Sequence, residues 1–265
     1  MSSYETILYE LNGGVATITL NRPDKYNAFT DTMIGDVTHA IKSAGRDGEV
    51  RVVVVTGAGK GFCAGQDLAD VEERGDITFL EHVREKYNPM ILAMRGLEKP
   101  IIGAINGAAA GAGMSLALAT DIRVMSSKAS LIFASFAGIG LVPDNGASYF
   151  LPRIVGSAKA LELLMLSDRS NRISAEQALS LNLVSYIAEP ENFDGVVHDV
   201  AGKLATMPTR ALGMTKRMIN MTWDNSLEEQ LDIEAQLQEA ASRTEDHHEG
   251  IQAFLDKREP QFTGK

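Results

Sequence analysis

The chain has 265 residues, 45% of them hydrophobic, and a formal net charge of −10. This length can enclose a sizeable core, whereas the acidic balance disfavours general binding to nucleic acid or to anionic lipid. One cysteine, Cys63, excludes an internal disulfide and a cysteine-rich metal site. Residues 1–11 lack the basic start and apolar run of a signal peptide, and no stretch reaches about 18 apolar residues. We therefore expect a cytoplasmic protein without nucleic-acid or membrane partners.

The N-terminal part alternates between strand and helix patterns. Branched apolar residues around Asn12-Gly13-Gly14 predict a hairpin. Apolar residues spaced by three and four predict helices, and continuous apolar runs predict buried strands. The predicted elements are strands 7–9 and 15–20, helix 31–47, strand 52–56, helix 80–97, strand 101–105, helix 114–119, strands 122–125 and 130–133, helices 158–166 and 175–181, and strand 183–187. This order predicts an α/β fold.

From residue 193 onward the patterns are helical only, at 196–207, 210–221, 227–242 and 249–258. The helix at 227–242 carries more than one apolar stripe, which predicts packing against both its own core and another subunit. No internal repeat or low-complexity linker interrupts the chain. We therefore divide it into a core domain, 1–192, and a C-terminal helical region, 193–265.

Three motif fragments suggest chemistry that their context disfavours. The glycines after strand 52–56 have Phe62 where a dinucleotide fingerprint needs glycine, and Gly61 where a P-loop needs serine or threonine. Ser115 only half resembles a nucleophile elbow, because the second glycine is missing. His247-His248 lies among acidic residues and is typical of a solvated surface.

Two segments of small residues, 61–68 and 106–113, each follow a buried strand and precede a helix pattern. Small residues allow the backbone to approach a ligand closely. The N-terminus of a helix leaves N–H donors free and has a positive dipole end. If the two segments converge, they form an oxyanion hole for a developing enolate. The spacing alone equally permits two tight turns that only pack.

Motifs in chain order resemble the enoyl-CoA hydratase/isomerase (crotonase) superfamily over nearly the whole chain, and most closely its ring-1,2-epoxyphenylacetyl-CoA isomerases. The motifs are Asn21-Arg22-Pro23 with Asn27-Ala28, residues 61–68, residues 106–113, residues 140–144, Leu151-Pro152-Arg153 and residues 174–178. The resemblance implies a spiral of ββα turns with a C-terminal helical trimerisation region, and trimers that usually pair into hexamers. It also implies an acyl-CoA substrate, with coenzyme A as part of that substrate, and neither a separate cofactor nor a metal.

The same resemblance implies roles for particular residues. The oxyanion donors are the backbone N–H groups of Gln66 and Ala112. Phe136 belongs to the acyl pocket. The other substrate-binding positions lie in the loop before the first helix and in the two small-residue segments, and they are Lys25, Ala28, Ala64, Gly65, Asp67, Leu68, Gly111 and Gly113.

The chain departs from the family's hydratases at their two glutamates. The first position is Ser115, and the second falls at Ser135 or Phe136. Asp144 matches the catalytic aspartate of the family's dienoyl-CoA and ring-epoxide isomerases, although Pro-Asp-Asn-Gly is also strong turn chemistry and Asp a good helix N-cap. We therefore expect an isomerase of an unsaturated or epoxidised phenylacetyl-type CoA thioester, in which Asp144 moves one proton between two carbons. The alternatives are a 2-enoyl-CoA hydratase and a non-catalytic acyl-CoA-binding protein.

Overall fold

The structure, a computed structural model, describes residues 4–73, 77–133, 136–166 and 172–265, without the side chains of 71–73. The strands are β1 (Ile7–Asn12), β2 (Val15–Leu20), β3 (Val52–Gly57), β4 (Gly61–Cys63), β5 (Ile101–Ile105), β6 (Ala108–Ala110), β7 (Ile122–Ser126), β8 (Ser130–Ile132), β9 (Ile173–Ser174) and β10 (Tyr186–Ala188). The helices are α1 (Asp31–Arg46), α2 (Leu68–Glu73), α3 (Phe79–His82), α4 (Asn88–Gly96), α5 (Ala112–Ala119), α6 (Ala147–Val155), α7 (Ser157–Leu166), α8 (Ala175–Ser180), α9 (Phe193–Ala205), α10 (Thr209–Met221), α11 (Leu227–Ser242) and α12 (Glu245–Asp256).

Successive strands of the chain go to two different sheets. The larger sheet has the order β1-β2-β3-β5-β7-β10, and the smaller has the order β4-β6-β8-β9. Each of β3, β5 and β7 is followed at once by a short strand of the smaller sheet, and neighbouring turns pair in parallel. The predicted α/β fold, a spiral of ββα turns followed by C-terminal helices, is confirmed.

The predicted hairpin is present, and its first strand is longer than expected. Gly13 and Gly14 both have positive φ, 55° and 81°, as the two central residues of a type I′ turn require. Because a two-residue turn lets the ladder continue to its edge, pairing extends to Asn12 opposite Val15.

The valine run of β3 is buried on both faces of the larger sheet. Val53 and Val55 point into the main core, which includes the apolar face of α1. Val52 and Val54 point the other way and pack with α9, including Phe193. This alternation explains why the strand reads as a continuous apolar run. α9 begins at Phe193 and packs on a sheet made of residues before 193. The division into 1–192 and 193–265 is not tested by this contact and stays a prediction.

Three expectations about individual elements are wrong. The helix predicted over 80–97 is split by a π-helical turn at Val83–Tyr87. Pro89 follows this turn, and proline has no N–H group to donate a hydrogen bond to the turn before it. The strand predicted over 183–187 begins only at Tyr186, because Leu183 and Val184 are buried outside the sheet. α11 lies against α10 and α12 rather than the core, and of its residues only Gln230 is buried. Its predicted packing against another subunit stays a prediction.

No helix within the described ranges is both long and apolar enough to cross a bilayer.

Candidate active site

The two small-residue segments meet beside the smaller sheet. Each segment contains a strand of the smaller sheet, β4 or β6. These two strands pair in parallel, so the residues that follow them leave the sheet side by side. Gly65 has φ +94°, and a Cβ atom there would lie 2.9 Å from the oxygen of Ala110 and 3.5 Å from the nitrogen of Ala112. A side chain at position 65 would therefore separate the segments, and glycine is required for their contact.

Both predicted donors have a main-chain N–H group available. Among the hydrogen bonds of the described residues, none is donated by the Gln66 N–H, although the Gly65 oxygen and the Asp67 N–H on either side of it both pair with Phe29. Ala112 is the first residue of α5, so its N–H has no acceptor within the helix. Gly111, just before it, has φ 51° and ψ −123°, a conformation that only glycine adopts readily. The geometry therefore fits two backbone donors at adjoining loops.

The Gln66 side chain is occupied by the protein. Its Nε2 donates to the Phe29 oxygen at 2.9 Å, and its Oε1 accepts from the Tyr87 hydroxyl at 2.5 Å. Tyr87 is the last residue of the π-helical turn; such turns are frequent at functional sites. The turn thus fixes the orientation of Gln66, a contact between residues 21 positions apart that the sequence analysis missed.

An asparagine holds the two loops together. The Asn106 Nδ2 donates to the oxygens of Gly57 and Gly59 at 2.9 and 3.1 Å, and its Oδ1 accepts from the Gly57 N–H at 3.2 Å. At Gly107 a Cβ atom would lie 2.1 Å from the Lys60 oxygen. The second loop is therefore anchored to the first by one carboxamide and one obligatory glycine.

The loop before α1 is joined to the first small-residue segment by Arg22. This residue belongs to the Asn21-Arg22-Pro23 motif, and the sequence alone indicated no role for it. Its guanidinium donates to the Ala28 oxygen at 2.6 Å and to the Asp67 carboxylate at 2.8 Å. The hydrogen bond from Arg22 lowers the pKa of Asp67, and the charge of Lys25 adds to this. The predicted positions Lys25, Ala28 and Asp67 therefore form one cluster, in which Lys25 is exposed.

Asn27 has a structural role in this cluster. It is fully buried with φ 56°, and its Nδ2 donates to the oxygens of Ala58 and Gly61 at 2.9 and 2.8 Å. Asparagine tolerates this left-handed conformation. It thereby ties the Arg22–Ala28 loop to the turn that leads into β4.

Asp144 carries a largely buried carboxyl group on a tight turn. The Ala147 N–H donates to the Asp144 oxygen at 3.0 Å, and Asn145 and Gly146 between them have φ 52° and 84°, a type I′ turn. The Asp144 Oδ1 is buried and has no hydrogen-bond partner in the described part of the chain. Burial raises the pKa of Asp144 to about 6. The main chain makes this turn, and α6 begins without a side-chain cap, so the carboxyl does no capping.

Ser115 joins this turn to the second loop. Its side chain is fully buried on α5, and its hydroxyl lies 3.2 Å from the Gly111 oxygen and 3.1 Å from the Asp144 main-chain oxygen. Phe136, also buried, accepts the N–H of Leu141 and so begins the loop that leads to Asp144. Ser135 lies outside the described residues.

The remaining predicted positions fall at the same loops. Ala64 donates to the Tyr26 oxygen at 3.0 Å, and Leu68 begins α2 with an exposed side chain. Gly113 faces Cys63 so closely that a Cβ atom would lie 2.3 Å from the Cys63 oxygen. Burial raises the pKa of Cys63 to about 12, so this thiol stays protonated at neutral pH and is unsuited to act as a nucleophile. Within the described ranges, no group of three or more His, Cys, Asp or Glu side chains could hold a metal ion.

The chain is similar to known proteins over almost its whole length. The family model for enoyl-CoA hydratase/isomerase matches residues 10–265. The Escherichia coli K12 1,2-epoxyphenylacetyl-CoA isomerase is 43% identical over 98% of this chain and 99% of its own length. The Streptococcus mutans trans-2-decenoyl-[acyl-carrier-protein] isomerase is 33% identical over 99% of both chains. A crystal structure of an enoyl-CoA hydratase from Polaromonas sp. JS666 superposes with a TM-score of 0.89 at 35% identity, covering 97% of this chain and 99% of that one.

The chain therefore belongs to the enoyl-CoA hydratase/isomerase family. It is an enzyme of that family, and its substrates are acyl-CoA thioesters.

Proposed function

We propose that the protein is an acyl-CoA isomerase in which Asp144 is the acid/base. The observation that carries this proposal is the Asp144 carboxyl itself, whose Oδ1 is buried without a hydrogen-bond partner among the described residues and whose pKa burial raises to about 6. A carboxylate with such a pKa accepts a proton at neutral pH and returns it readily. The first glutamate of the hydratases that this chain resembles is replaced by Ser115, which cannot activate water in the same way.

In the proposed reaction the thioester oxygen accepts hydrogen bonds from the N–H groups of Gln66 and Ala112. Asp144 removes a proton from one carbon of the acyl group, and the electrons of that C–H bond move into the enolate, whose charge lies on the thioester oxygen. The protonated Asp144 then returns the proton to a second carbon, and the carbonyl re-forms. Each donor of such a hole contributes roughly 3–4 kcal/mol to the transition state.

The substrate we propose is an unsaturated or epoxidised, phenylacetyl-type CoA thioester, by analogy with the Escherichia coli relative. The coenzyme A portion would lie along the Arg22–Asp67 cluster and the first loop, with the acyl group beside Phe136. The residues proposed to contact substrate are Lys25, Ala28, Ala64, Gly65, Asp67, Leu68, Gly111, Gly113 and Phe136. We further propose that the helices of 193–265 assemble the chain into trimers or hexamers.

A 2-enoyl-CoA hydratase is the second candidate. The observation that favours it is the close match to a solved structure that carries that name. Adding water to an enoyl thioester requires one group to activate the water and another to manage the proton at the α-carbon. Asp144 alone would then have to do both.

The test is the substitution Asp144→Asn, which keeps the size of the side chain and removes its ionisable group. We expect turnover to fall by about 10²-fold or more while a CoA thioester still binds. Deuterium exchange should be lost at both the α- and γ-carbons. The matched control is Asp199→Asn on the exposed side of α9, which should change neither. Near-normal isomerisation by the Asp144 variant would contradict the mechanism, and loss of exchange at one carbon alone would favour the hydratase.

A further inference from the structure

Asn145 buries a complete carboxamide without a partner. Its side chain is 3% exposed. Within residues 4–73, 77–133, 136–166 and 172–265, neither its Nδ2 nor its Oδ1 has a hydrogen-bond partner. Leaving a buried polar group unpaired costs about 1–3 kcal/mol, and an orphan of this kind in a native protein calls for a reason.

The turn explains the backbone conformation of Asn145 but not why its side chain is a buried carboxamide. Position 145 has φ 52°, which asparagine tolerates and glycine adopts more readily. In many turns an asparagine side chain bonds to the backbone nearby, but this carboxamide makes no such bond. A glycine would therefore serve the turn as well, without burying two polar atoms.

The unpaired carboxamide is next in sequence to a carboxyl group with one unpaired oxygen. The Asp144 Oδ1 is also buried without a partner in the described part of the chain. The Asp144 main-chain oxygen is held by both the Ser115 hydroxyl and the Ala147 N–H, so the turn is fixed on α5, the helix that begins at Ala112. Three unpaired polar atoms on two neighbouring side chains thus lie on one fixed turn beside the second loop. Asn145 therefore lies one residue from the proposed acid/base, on a turn that is held against α5.

We propose that the Asn145 carboxamide binds substrate and determines specificity, by hydrogen bonding to an oxygen atom of the acyl group other than the thioester oxygen. This inference rests on the proposed function and deepens it by naming the substrate class: acyl groups that carry an oxygen near the carbons between which the proton moves. The Nδ2 donates to an ether, epoxide or hydroxyl oxygen, and the Oδ1 accepts from a hydroxyl. A hydrocarbon acyl group leaves both atoms unpaired, and sites with unpaired buried groups reject such analogues.

The test measures binding rather than turnover, with two probes that differ by one oxygen, phenylacetyl-CoA and 2-hydroxyphenylacetyl-CoA. Titration calorimetry should show that the wild-type protein prefers the hydroxylated probe by about 10-fold, within the range set by one buried hydrogen bond. Asn145→Gly keeps the left-handed turn and removes the carboxamide, so the preference should fall to about 1. The matched control is Asn182→Gly, at an exposed asparagine that also has positive φ, 57°; it should keep the full preference.

The inference is overturned if the wild-type protein shows no preference, or if Asn145→Gly retains it. The first of these outcomes needs no variant, so the proposal stays testable even if Asn145→Gly folds poorly. Asn145→Ser, which keeps a shorter polar group, should give an intermediate preference. Because binding is measured without turnover, these results are separate from those of Asp144→Asn. A normal rate in the Asp144 variant would overturn the isomerase mechanism and leave the binding result standing.

Discussion

The Ser115 hydroxyl lies 3.1 Å from the main-chain oxygen of Asp144, and this contact connects α5 to the turn that carries the buried carboxyl. The same hydroxyl lies 3.2 Å from the Gly111 oxygen, at the end of the second loop. One side chain therefore sets the separation between the proposed oxyanion donor and the proposed acid/base. Ser115 would act through Asp144 as a positioning residue.

Ser115→Ala should lower kcat by about 3- to 10-fold and leave KM nearly unchanged, since one hydrogen bond contributes about 0.5–1.5 kcal/mol. The freed turn should admit water to the Asp144 carboxyl and lower its pKa, so the acidic limb of the pH–rate profile should move below pH 6. The control is Ser180→Ala on α8, whose hydroxyl also bonds a carbonyl within its helix. An unshifted limb would mean that Ser115 only packs.

Asp144→Asn should stabilise the protein in a pH-dependent way. Burial raises the carboxyl pKa from an ordinary 3.8 to about 6 in the folded state, so the folded chain holds this proton more tightly than the unfolded chain. The wild type therefore loses stability as the pH rises through that window. The variant should gain up to about 3 kcal/mol at pH 8 and nothing near pH 3.5. Urea unfolding at several pH values measures this gain, and a gain that is constant with pH would show that burial of the charge is not its source.

Ala112→Pro should abolish turnover while the protein still folds. The substitution removes one N–H group, and proline is well tolerated at the first position of a helix, which Ala112 occupies in α5. Ser157→Pro makes the same change at the first position of α7 and should keep the wild-type rate. Circular dichroism and a thioester assay on the two variants give the comparison. Normal activity in Ala112→Pro would remove Ala112 from the proposed hole.

Phe254→Glu should convert the proposed oligomer to monomers. The Phe254 side chain on α12 is 82% exposed in the single chain, and Leu255 beside it is 67% exposed. Large exposed apolar side chains at neighbouring positions mark an interaction surface, and a charge buried there without a partner is costly. Light scattering coupled to size exclusion measures the mass. Gln252→Glu adds the same charge at an exposed residue of α12; equal dissociation by both variants would indicate a general charge effect.

Local sequence patterns indicate the two loops, because a buried strand followed by small residues is a signal confined to a few positions. The assignment of Gln66 and Ala112 as donors comes from the family resemblance instead. The contacts that orient the site join distant residues. Arg22 and Asp67 are 45 positions apart, and Ser115 and Asp144 are 29 apart. Such hydrogen bonds leave no period in the sequence, so their partners could be found only in the fold.

Some elements could not be predicted because they too depend on contacts between distant parts of the chain or on residues that normally disfavour them. The short strands β4 and β6 consist of Gly-Phe-Cys and three alanines, residues that mostly lack strand preference, and they exist because each turn of the spiral pairs with the next. α6 was missed because Pro152 stands inside it and proline normally disfavours a helix interior. The burial of the Asp144 carboxyl likewise depends on packing around the whole turn.

The proposed oxyanion hole belongs to the main chain, and this has a consequence for how such an enzyme can evolve. Most point mutations at Gln66 or Ala112 would leave the N–H groups in place, so drift in side chains cannot easily remove the means of stabilising an enolate. The groups proposed to set the reaction and its specificity, at Ser115, Asp144 and Asn145, are side chains and can be exchanged one at a time. A scaffold of this kind can acquire a new reaction without first losing its ability to activate a thioester.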